Sequence, residues 1–186
     1  MVQRVFIDGE AGTTGLQIRE RLEGRRDIEL VSIAADKRKD ADERKRLLNG
    51  ADAVILCLPD EAAREAVSLI ENSKVVVIDA STAYRVADGW TYGFAEMSKD
   101  QRAAIAKSKR ISNPGCYPTG FIALVRPLVE AGLVPRDWPL SVNAVSGYSG
   151  GGKAMIAEFE NTGAPEYTSV PYRIYAMTQQ HKHVPE

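Results

Sequence analysis

A lone cysteine within Ser112-Asn113-Pro114-Gly115-Cys116-Tyr117-Pro118-Thr119-Gly120 is the residue of this chain best placed for covalent chemistry. A hydrophobic approach, Arg110-Ile111, runs into an Asn-Pro-Gly turn, and a helical pattern continues from Pro118 onward. Proline suits a first helical turn, where its missing N–H would have no intrahelical partner. Cys116 therefore stands at or just before a helix N-terminus, where unpaired N–H groups and the helix dipole favour an anion. A thiol in that setting ionises more readily, and the thiolate is the nucleophile. The competing reading is a buried structural cysteine. Both histidines of the chain, His181 and His183, lie two residues apart, so in an extended segment they face the same side. Next to a cysteine nucleophile either one could act as acid and base; without one they are a surface pair.

Two glycine-rich runs could approach a ligand with bare backbone. Gly9-Glu10-Ala11-Gly12-Thr13-Thr14-Gly15 follows the β-branched strand Arg4–Asp8 and precedes an amphipathic helix ending near Leu22. Strand, glycine turn and helix form the context of a dinucleotide phosphate site, because the turn lets backbone come close and the helix N-terminus holds the anion. The spacing G-x-x-G-x-x-G matches the G-x-G-x-x-G fingerprint only in part. The second run, Ser146-Gly147-Tyr148-Ser149-Gly150-Gly151-Gly152-Lys153, follows an expected strand over Leu140–Val145 and precedes a helix over Ala154–Phe159. The alternative for this run is a flexible loop.

The elements that must carry these groups alternate. Strands are expected at Ile28–Ala34, Ala53–Leu58 and Val75–Ile78, and a small one at Trp90–Phe94. Helices are expected at Ala41–Asn49 and Glu61–Glu71, the latter capped by Asp60. Continuous apolar strands between helices imply an α/β fold with a doubly wound, parallel, Rossmann-type sheet. At the end of the second strand an acidic residue would bind a ribose 2′-hydroxyl, and an arginine a 2′-phosphate. Asp36 and the cations Lys37, Arg38 and Lys39 offer both, and the cations favour the phosphorylated cofactor. Arg85 follows the fourth strand on the carboxyl edge of the sheet, where it could grip a substrate phosphate or lie idle on the surface.

Bulk properties narrow the function classes. The 186 residues are 44% hydrophobic and 26% charged, with a net charge of −1, so no global field attracts nucleic acid or an anionic membrane. No apolar stretch reaches the ~20 residues of a membrane span, and Val2–Ile7 is too short for the core of a signal peptide. The only cysteines, Cys57 and Cys116, have no metal-ligand spacing, so no metal is expected and a reducing cytoplasm is the expected compartment. Cys57, inside Ala53–Leu58, reads as strand packing.

Together the runs Phe6–Gly15, Asp79–Arg85, Asn113–Gly120, Ser146–Lys153 and His181–Glu186 resemble the N-acetyl-γ-glutamyl-phosphate reductases of the shorter bacterial type, within the aspartate-semialdehyde dehydrogenase superfamily. The resemblance implies NADPH-dependent reduction of N-acetyl-γ-glutamyl phosphate to the semialdehyde and phosphate, in arginine biosynthesis. It implies Cys116 as the nucleophile that forms a thioester, and His183, or less readily His181, as acid and base. Glu186 would orient His183, and Asn113 and nearby amides would stabilise the oxyanion. NADP(H) would lie on Gly9, Gly12, Thr13, Thr14, Gly15, Arg38, Ser149, Gly150 and Gly151. Arg85, Asn113 and Ser146 would hold the small acyl-phosphate substrate.

Residues 1–116 would be the dinucleotide-binding domain. Residues 117–186 would be the N-terminal part of an α+β catalytic and dimerisation domain, whose remaining strands the sequence lacks. A homo-oligomer is implied, with no nucleic-acid or membrane partner. The alternatives are an aspartate-semialdehyde dehydrogenase-like enzyme and a non-enzymatic dinucleotide-binding sensor.

Overall fold

A computed structural model describes residues 2–178 and 180–186. Its first half alternates strand and helix as the apolar pattern requires: β1 (Gln3–Asp8), α1 (Thr13–Leu22), β2 (Ile28–Val31), α2 (Ala41–Gly50), β3 (Ala53–Leu56), α3 (Asp60–Ser68), β4 (Val76–Asp79), β5 (Thr91–Tyr92), α4 (Gln101–Lys107) and β6 (Arg110–Ser112). The six strands form one sheet in the order β2-β1-β3-β4-β6-β5, every pair parallel. The chain steps outward from β1 to β2 and then crosses back to β3 on the other side. Right-handed crossovers in opposite directions put helices on opposite faces, which makes the sheet doubly wound. The reversal at β1 and β3 opens a crevice at the carboxyl ends of the strands, where the glycine turn lies.

The core between sheet and helices consists of Phe6, Leu47, Leu48, Ala51, Val54, Leu56, Ala63, Ala66, Val75 and Val77, with the stacked pair Tyr84 and Trp90 packed on its margin. A buried ion pair fastens α2 to the end of β1: Arg44 donates from Nη2 to Asp8 Oδ2 at 2.9 Å, and reaches Glu65 of α3 at 3.2 Å. Removing one member of such a pair strands a charge away from water, so it locks the register of these elements.

Beyond the sheet lie α5 (Cys116–Glu130) and α6 (Gly152–Glu160). Every buried hydrophobic core residue falls between Val5 and Ile111, while Leu124, Leu133, Trp138, Val142, Tyr172, Ile174 and Met177 are exposed. The strand expected over Leu140–Val145 does not form. A strand needs a neighbour for its backbone N–H and C=O groups, and none of the six strands lies beside this segment among the described residues. Asp60 also departs from expectation. It is the first residue of α3 and not its cap, and its carboxylate instead accepts from the Thr82 N–H and hydroxyl.

Candidate active site

The turn after β1 is built so that only glycine fits. Gly9 has φ +87°, and a Cβ there would lie 2.3 Å from the Cys57 carbonyl oxygen. A Cβ on Gly15 would lie 2.4 Å from the carbonyl oxygen of Gly9. The Gly12 N–H closes the turn on Gly9 O at 2.9 Å, and α1 starts at Thr13 with no side chain capping its N–H groups. A bare backbone cradle facing a helix N-terminus suits a dinucleotide pyrophosphate.

Beside it opens a cavity of about 520 Å³, lined by Glu10, Ala11, Leu16, Ser32, Ile33 and Arg38 among others. Of the residues offered at the end of the second strand, Arg38 lines this cavity; Asp36, Lys37 and Lys39 do not. The donor set therefore fits a 2′-phosphorylated cofactor. The second glycine-rich run reaches the same place: Lys153 of α6 donates to the Ala11 carbonyl at 2.7 Å. Ser149, Gly150 and Gly151 lie on the turn that leads into α6, a few residues before this lysine. Ser146 is exposed, with its hydroxyl on Gly147 O at 3.3 Å. Lys153 was not singled out as a contact from the sequence, although its place directly after three glycines is a usable signal.

β6 delivers the cysteine. Asn113 N–H is held by Asp79 O at 2.7 Å, its side-chain amide donates to Pro114 O at 3.3 Å, and α5 then starts at Cys116 with Gly115 as an N-cap that has no side chain to satisfy the first N–H groups. Cys116 is exposed and Pro118 falls in the first turn. Cys57 contrasts with it: burial, with the carboxylates of Asp79 and Asp8 adding to it, pushes its thiol up to about 11. At neutral pH Cys57 is therefore held as the thiol, which is not the nucleophilic form. Iodoacetamide is expected to label Cys116 at least about 100-fold faster than Cys57, read by peptide mass. Faster labelling of Cys57 would contradict the assignment.

The histidine segment returns to this point. A Cβ on Gly115 would lie 2.7 Å from Glu186 Oε1, 2.8 Å from Arg85 Nη1 and 2.9 Å from His183 Cδ2, so these three groups converge where glycine leaves room. The ring of Tyr117, the residue after Cys116, is 5.9 Å from the His183 ring and 5.6 Å from the His181 ring. The two histidines differ in their bonding. His181 Nδ1 accepts from the His183 N–H at 3.2 Å, so His181 shapes the turn. His183 Nδ1 is buried and has no partner among the described residues. Burial holds His183 below its ordinary value of 6.5; Glu186 opposes this, and Arg85, His181 and Lys182 add to it. At neutral pH the ring is a neutral imidazole able to take a proton.

By resemblance Glu186 orients His183, and among the described residues it is joined to that residue through the backbone, not by a bond from its carboxylate to the ring. Its carboxylate instead accepts from Arg85 Nη1 at 2.7 Å, Tyr92 Oη at 2.8 Å and the Gly115 N–H at 2.9 Å. Its link to His183 is the backbone, Glu186 N–H to His183 O at 3.2 Å, together with its charge. Arg85, which from the sequence could grip a substrate phosphate or lie idle on the surface, has its side chain buried and bonded within the chain. One edge of its fork is committed to Glu186 and Nη2 to Ala80 O at 3.3 Å, and its side chain is 8% exposed. Tyr92 carried no signal in the sequence.

Among the described residues no group of three or more His, Cys, Asp or Glu could hold a metal, and no helix is long and apolar enough to cross a membrane.

Two family models match this chain. The family described as "Semialdehyde dehydrogenase, NAD binding domain" matches residues 4–105, and "Semialdehyde dehydrogenase, dimerisation domain" matches residues 116–186. An N-acetyl-gamma-glutamyl-phosphate reductase 2 of Nostoc sp. is 59% identical, covering 98% of this chain and 58% of its own length. The reductase of Chelativorans sp. is 59% identical over 100% of this chain and 59% of its own. That of Rhizobium etli is 56% identical, over 100% and 60% respectively. The chain thus spans about 60% of the length of the curated relatives it matches. In fold it is similar to aspartate semialdehyde dehydrogenase from Francisella tularensis, with TM-score 0.63 at 20% identity over 85% of this chain and 48% of that one. It is also similar to the NADP-bound enzyme from Candida albicans, with TM-score 0.52 at 18% identity over 70% and 48%. With glycine cradle, exposed cysteine and returning histidine in this order, the chain belongs to the semialdehyde dehydrogenase family.

Proposed function

We propose that the protein reduces N-acetyl-γ-glutamyl phosphate to N-acetylglutamate semialdehyde and phosphate, using NADPH, as a step of arginine biosynthesis. The convergence of His183 on Gly115, one residue before an exposed Cys116, carries this reading. The substrate follows from the names of the relatives at 56–59% identity. His183, neutral and buried on one side, takes the thiol proton of Cys116. The thiolate attacks the acyl carbon, the C–O bond to phosphate breaks, and a thioester to Sγ forms. The released phosphate takes up the one proton the overall reaction consumes. NADPH, when bound, supplies the hydride that reduces the thioester carbonyl. The Cys116 N–H at the start of α5 and Asn113 would stabilise the resulting oxyanion. Its collapse re-forms a carbonyl, breaks the C–S bond and leaves the thiolate, to which His183 returns its proton.

The cradle Gly9–Gly15 and Arg38 would hold the cofactor, with Ser149, Gly150 and Gly151 closing over it. Arg38→Gln is expected to weaken NADPH binding about 10- to 100-fold and NADH binding less than about 2-fold, since one charge-assisted contact is lost. Titration calorimetry checks this; equal losses would remove Arg38 from the 2′-phosphate. Residues 116–186 match a dimerisation domain, which supports self-association through this part.

The direct test is NADPH oxidation by the full-length protein, assayed with N-acetyl-γ-glutamyl phosphate and with aspartyl phosphate. Turnover of the first alone supports the reading. Preference for the second would make it an aspartate-semialdehyde dehydrogenase, and binding of NADPH without turnover of either would make it a sensor.

A further inference from the structure

The edge strand β5 is two residues long, and its Tyr92 is held from both sides. Tyr92 pairs with Ser112 of β6, the following N–H of Gly93 donates to Ser112 O at 2.8 Å, and the Tyr92 carbonyl accepts from Gln101 of α4. Its phenol hydroxyl reaches across 94 residues of sequence to Glu186 Oε2 at 2.8 Å. Glu186 is 2% exposed, and its three donors come from β5, from the segment after β4 and from the N-cap of α5. The turn bearing His183 ends on that carboxylate: Val184 N–H bonds to His181 O, and Glu186 N–H to His183 O. Two neighbouring strands therefore carry the two halves of the site. β6 leads to Cys116, and β5 presents the hydroxyl that fixes the end of the histidine turn.

We infer that Tyr92 is a positioning residue, which acts through Glu186 to set the place and protonation of His183 beside Cys116. This rests on the reading of His183 as acid and base. Burial, and then Glu186, keep the phenol protonated, so it is a donor throughout the working pH range. The groups around His183 are Glu186 and Arg85, His181 and Lys182 on its own segment, and the Tyr117 ring of α5. Loss of the Tyr92 hydroxyl leaves more of the Glu186 charge unshared and loosens the turn toward water. Both changes favour imidazolium.

The test is Tyr92→Phe in the full-length protein, which keeps the ring. In an NMR titration of ¹³C-labelled imidazoles, with the His183 signal identified by its loss in His183→Asn, the His183 midpoint is expected to rise by about 0.5 unit or more. The kcat of NADPH oxidation should fall about 10-fold with KM for the acyl phosphate within about 2-fold. Because Tyr92 acts through Glu186, the substitution should have almost no further effect in a Glu186→Gln background. An unmoved His183 midpoint would overturn the inference, and so would losses that multiply in the double variant. The titration needs no substrate, so it stands even where the proposed reaction fails.

Discussion

Cys116→Ala is expected to abolish NADPH oxidation with N-acetyl-γ-glutamyl phosphate, lowering kcat by about 10⁴-fold or more, while NADPH affinity stays within about 2-fold. The effect is large because, in the proposed reaction, the thiol forms the covalent bond: without Sγ there is no thioester for reduction. Cys57 cannot substitute. It sits after β3 with its thiol pushed up to about 11, chiefly by burial. The cofactor cradle is made of backbone from Gly9 to Gly15 and does not depend on the Cys116 side chain. Steady-state kinetics and calorimetry on the same preparation check both halves.

His183→Asn is expected to lower kcat by about 10²- to 10⁴-fold, the usual worth of a positioned acid–base group. The ring lies below its ordinary 6.5, so in the parent protein activity should hold to below that pH and fall as His183 becomes imidazolium and can no longer take the Cys116 proton. In His183→Asn the limb that belongs to this imidazole should disappear from the pH profile. His181→Asn should cost much less, because His181 Nδ1 is committed to the turn through the His183 N–H. The double variant Cys116→Ala, His183→Asn should be hardly worse than Cys116→Ala alone, since the two residues act as one unit. Equal losses from His181→Asn and His183→Asn would contradict this division of roles.

The parts of this site that were legible in the sequence are local ones. The glycine turn lies between a β-branched strand and an amphipathic helix, so its neighbours in sequence are its neighbours in space. Cys116 at the start of α5 follows from Asn113-Pro114-Gly115 by the same logic. The sheet was readable because the apolar strands Ala53–Leu56 and Val76–Asp79 are flanked by helices. What stayed hidden depends on long-range pairing. Arg85 finds Glu186 across 101 residues, a bond that no local pattern announces. Tyr92 looks like one more aromatic residue in a weak strand until Glu186 is beside it. Leu140–Val145 has the alternation of a strand, but alternation fixes only which faces are apolar. Without an adjacent strand its backbone groups have no ladder to join.

The central claim is that Cys116 carries the acyl group, and trapping that group tests it most directly. The full-length protein, mixed with N-acetyl-γ-glutamyl phosphate in the absence of NADPH, quenched in acid and digested, should yield the Cys116 peptide heavier by one N-acetylglutamyl group. One phosphate should be released per adduct, and NADPH added before the quench should discharge it. No adduct on Cys116 under conditions that support turnover, or an adduct on another residue, would contradict the account.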